Sequence, residues 1–130
     1  MKPTKKLILA LRETAQLLRE KPEKYKWFFP NTCNCGLLCQ ALGEKEFRVG
    51  AWSIAAANGF CSTTGLPIKK LFKTLSEFGL EKKDFNEIEH CIRDGKIGNF
   101  KNPAFVAVWM DERADQLEKE RAKLLVKNEL

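Results

Sequence analysis

The chain has 130 residues, 44% of them apolar and 31% charged, with five cysteines and one histidine. That is enough for one hydrophobic core and too ordinary a mix for a disordered or fibrous protein. Twenty-three Lys/Arg against 17 Asp/Glu leave a net charge of +6, which disfavours acidic substrates as partners less than it disfavours basic ones.

The excess positive charge sits at one end. Residues 1–30 hold eight Lys/Arg and three Glu, residues 31–65 two of each sign, and residues 66–130 thirteen against twelve. The opening run, Leu7-Ile-Leu-Ala-Leu11, is halted by Arg12-Glu13 and no small-residue cleavage site follows, so it is not read as a signal peptide. No stretch approaches the ~20 apolar residues of a membrane span. The chain is therefore expected to be cytoplasmic, with reduced thiols, and no membrane partner is expected. An odd cysteine count also argues against a closed disulfide framework.

In chain order, Leu7, Ile8, Leu11, Ala15 and Leu18 recur at helical spacing, and Pro22 ends that helix. Tyr25, Trp27, Phe28 and Phe29 form an aromatic connector closed by Pro30, expected to plug the core. The run from Cys35 to Leu42 is headed by good N-caps (Asn31, Thr32, Asn34) and ends at Gly43. Phe47 to Ala57 is either helical throughout or opens as a short strand at residues 47–49. Leu66, Ile68, Leu71, Phe72, Leu75 and Phe78 mark an amphipathic helix with Lys69, Lys70 and Lys73 on its other side and Gly79 closing it.

Asp84 followed by Glu87 suggests a capping box, with Asp84 as the cap, opening a helix that carries Phe85, Ile88 and Ile92. Gly95 and Gly98 break the chain again. Asn102 caps and Pro103 starts a final helix, whose charged stretch from Asp111 to Lys127 should be exposed or packed on a partner. The expected fold is all-α: one compact domain, residues 1–130, of five or six helices.

Reactive chemistry concentrates at Cys33-Asn-Cys35-Gly-Leu-Leu-Cys39, and three readings compete for it. Cys33, Cys35, Cys39 and the distant Cys61 are a donor set that could hold zinc, which takes four Cys or His ligands in tetrahedral array. Alternatively, Cys35 near a helix N-terminus has its thiolate favoured by the unpaired N–H groups. A cysteine-dependent hydrolase or transferase would then need His90, the one histidine, as its base. His90 lies about 200° round the helix from Ile88 and so points away from the buried side. The third reading makes the cysteines small core residues, which fits Cys91 best, three positions after Ile88.

Three blocks carry a resemblance. They are Cys33-Asn-Cys35-Gly36, then Gly50-Ala-Trp52-Ser53 leading to Cys61-Ser-Thr-Thr64-Gly65-Leu-Pro67, then Gly79 to Asp84 with Ile88-Glu89. Over about residues 27–98 the chain resembles a family of small bacterial proteins of uncharacterised activity. In that family a histidine often follows the Cys-Asn-Cys-Gly element, where this chain has Leu37. The resemblance implies a metal- or thiol-centred site on Cys33, Cys35 and Cys61. With Leu37 in place of the histidine, a metal site would need Cys39 or His90, and a catalytic version would be impaired. No activity is implied.

The function expected overall is a small non-enzymatic binding or regulatory module. Lys5, Lys6, Arg12, Arg19, Lys24 and Lys26 would meet a protein or nucleic-acid partner. The metal-stabilised domain and the cysteine enzyme are the alternatives.

Overall fold

The computed structural model describes residues 1–25, 37–38, 41–42 and 76–129. Three α-helices stand out among them: α1 (Lys5–Glu20), α2 (Lys82–His90) and α3 (Pro103–Glu129). A 3-10 turn at Pro22–Lys24 follows α1. There is no strand among the described residues, only an isolated antiparallel bridge between Arg93 and Lys96.

α1 begins because Thr4 is extended and its hydroxyl accepts the Leu7 N–H at 3.2 Å. The same hydroxyl donates to the Phe78 carbonyl at 2.9 Å, and the Lys2 N–H donates to the Gly79 carbonyl at 2.8 Å. Cap and tertiary anchor are thus one side chain. Gly79 turns with φ +93°, and a Cβ there would lie 2.9 Å from the Lys2 carbonyl oxygen. Glycine closes this turn for both reasons, local conformation and close approach.

Seven residues of α1 are buried: Leu7, Ile8, Ala10, Leu11, Thr14, Ala15 and Leu18. Thr14 spends its hydroxyl on the Ala10 carbonyl at 2.8 Å, so no polar atom is left unsatisfied by its burial. This face packs on α3, whose buried residues are Val106, Ala107, Trp109, Met110, Ala114 and Leu117. Arg19 pairs with Asp111 while Arg12, earlier in α1, reaches Asp115 and Glu118, later in α3. The two helices therefore run antiparallel.

α2 starts three residues earlier than the sequence suggests. Its cap is Glu81, and Asp84 occupies the third helical position, where Oδ2 accepts the Glu81 N–H at 2.7 Å. Asp84 is 2% exposed, and its other oxygen lies 3.2 Å from the Met1 amino nitrogen. An aspartate with two donors from upstream residues holds the first turn from within, so it cannot also be the cap. Ile88 and Cys91 are fully buried, as their spacing predicts.

At the far end of α2, Cys91 takes a left-handed conformation (φ 48°, ψ 48°). The Cys91 N–H donates to the Ile88 carbonyl and the Ile92 N–H to the Glu87 carbonyl, the paired bonds of a Schellman stop. Asp94 and Gly95 then both have positive φ, and Arg93 and Lys96 exchange backbone hydrogen bonds across them. Positive φ at both central residues is the two-residue hairpin turn that Asp-Gly favours. Finally, Asn102 Oδ1 accepts the Ala104 N–H at 2.9 Å, and α3 begins at Pro103 as expected.

The count of five or six helices falls largely on residues outside the described ones. Of the segment expected to run from Cys35 to Leu42, residues 37, 38 and 41 are helical, and the Leu42 N–H donates to the Leu38 carbonyl. Of the segment ending at Gly79, Ser76 and Glu77 are helical. The element expected between Phe47 and Ala57, with its alternative strand, lies outside the described residues.

Candidate partner-binding surface

The basic residues assigned to a partner divide into three groups once folded. Arg12 is the most committed. It donates from Nη2 to Asp115 at 2.8 Å and from Nε to Glu118 at 3.2 Å, and lies 3.8 Å from Asp111. The hydrogen bonds to Asp115 and then Glu118 raise the guanidinium above its ordinary range, with burial opposing weakly. Arg19 pairs with the same Asp111. Two α1 arginines and three α3 carboxylates thus form one ladder along the helix seam.

The lysines form a second group. The Lys6 ammonium sits 4.7 Å from the centroid of the Phe78 ring, a cation–π contact. Lys5 shares the exposed side of α1 with Glu13, Gln16 and Glu20, where Gln16 donates to Glu20 at 2.8 Å. Lys24, in the 3-10 turn, is exposed. Lys26, with Lys69, Lys70 and Lys73, lies outside the described residues.

The α3 charges explain the redistribution. Asp111, Asp115 and Glu118 face α1 and are taken up by its arginines. Glu112 pairs with Arg93, and Arg113 lies 3.3 Å from Glu87 while stacking over Trp109. Beyond Leu117 no residue through Lys127 is buried. That segment carries Lys119, Arg121, Lys123 and Lys127 against Glu120 alone once Glu118 is paired. None of these four cations makes an ion pair with a described residue. Leu124, Leu125 and Val126 are 50%, 51% and 57% exposed there, a run of three consecutive aliphatics outside the core.

The exposure of this stretch was expected from its run of charges; which of those charges are taken up by α1 follows only from the fold. Five cations and six carboxylates fall in α3, and Asp111, Asp115 and Glu118 are the carboxylates that the α1 arginines take up.

The metal-ligand residues Cys33, Cys35, Cys39 and Cys61 lie outside the described residues. Among the described residues no group of three or more His, Cys, Asp or Glu is placed to hold an ion. Leu37 is 6% exposed and belongs to the core with Leu38 and Leu42. His90 faces the Asn86 carbonyl through Nδ1 at 3.1 Å and meets the Phe100 ring edge-on at 5.2 Å. Cys91 is buried, with Sγ 3.9 Å from the Ile88 carbonyl oxygen. Tyr25, the first of the aromatic connector, is buried and donates its hydroxyl to the Phe100 carbonyl. Trp27, Phe28 and Phe29 lie outside the described residues.

Comparison of the chain with protein-family models, with curated proteins and with solved structures finds no significant match.

Proposed function

We propose that this protein is a small, cytoplasmic, non-enzymatic binding module of bacterial type, built as a single domain of five or six helices. Its contact surface is the distal half of α3, residues 118–127, together with the exposed lysines at the ends of α1. One observation carries this reading: Arg12 and Arg19 are consumed by Asp111, Asp115 and Glu118, whereas Lys119, Arg121, Lys123 and Lys127 of the same helix make no ion pair with a described residue. A charge already held in a ladder contributes little to attracting a partner, whereas exposed, unpaired cations set the local potential.

Retention on immobilised heparin, used as a generic polyanion, tests the assignment. A Lys119→Glu/Lys123→Glu/Lys127→Glu variant should elute at clearly lower salt than the parent, and Arg12→Ala should elute close to it. Equal elution of the triple variant and the parent would rule the surface out. For the nucleic-acid form of the reading, a gel shift must weaken steeply with salt. Zinc bound by Cys33, Cys35, Cys39 and Cys61 is an independent proposal from the sequence. Elemental analysis near one zinc per chain, with a lower melting temperature on chelation, is its expected signature.

A further inference from the structure

We draw no further inference here: the strongest candidate, the row of exposed lysines Lys119, Lys123 and Lys127 on the distal half of α3, belongs to the partner-binding surface already described, and nothing in the structure shows what covers it.

Discussion

At Cys91 one residue is asked to do two things. Its left-handed backbone is a conformation that costs a non-glycine residue about 1 kcal/mol, and glycine would supply it freely. Its side chain is fully buried beside Ile88, and glycine would leave a hole. The compromise also shapes its neighbour. A Cβ on Gly98 would stand 2.5 Å from Phe105 Cε1 and 2.8 Å from the Cys91 carbonyl oxygen, so this residue lets the connection fold back over the end of α2. Gly98→Ala should therefore lower stability by roughly 1–3 kcal/mol, read as a lower urea midpoint with unchanged slope. An unchanged midpoint would mean that Phe105 yields freely. That Cys91 is a core residue was readable from its distance to Ile88. That it ends its helix in a left-handed turn was not, because the residue type gives no such signal and the paired Glu87 and Ile88 carbonyls decide it.

Among the elements, the buried face and the end of α1 were legible in the sequence. Its apolar spacing and the break at Pro22 act within a few positions along the chain, while the cap at Thr4 emerged only with the structure. Thr4→Ala removes both the acceptor for Leu7 and the donor to Phe78, and should cost about 2 kcal/mol, the upper range for a cap. Thr4→Ser, retaining the hydroxyl, should recover most of it in thermal melts. The α2 start was misplaced because Asp84 can cap a helix or reach back from its third position, and only the arrival of residues 1–2 beside it selects the second role. For the α1–α3 ladder, Arg12→Ala should destabilise by about 0.5–1 kcal/mol, since its partners are largely solvated, and the difference should shrink in high salt. The sign with pH follows from the raised Arg12 value. Stability gained by holding a proton more tightly when folded is complete below the ordinary guanidinium value and is lost only as pH rises through the still higher folded one. The Arg12→Ala difference, measured by urea unfolding, should accordingly not decline between neutral pH and about pH 10 on account of the guanidinium.

Across the whole molecule, α3 changes character along its length. Met110, Ala114, Leu117, Arg121 and Leu124 alternate in steps of four and three, one continuous stripe by position. The first three of these are buried and the last two are not. Leu117→Ala should then cost roughly 2–5 kcal/mol as a core truncation, whereas Leu124→Ser should change stability by less than about 0.5 kcal/mol, as an exposed position does. Similar losses at both sites in parallel denaturation curves would show that the distal half is covered after all. Helical class, the end of α1, the start of α3 and the apolar face of α1 were determined by the sequence itself, because periodicity, caps and proline act over a few residues. Which charges remain available was decided only by the tertiary structure. Net charge counts Arg12, Arg19 and the α3 lysines alike, but antiparallel packing brings Asp111, Asp115 and Glu118 onto the arginines. The lysines beyond Leu117 make no ion pair with a described residue and keep their charge exposed.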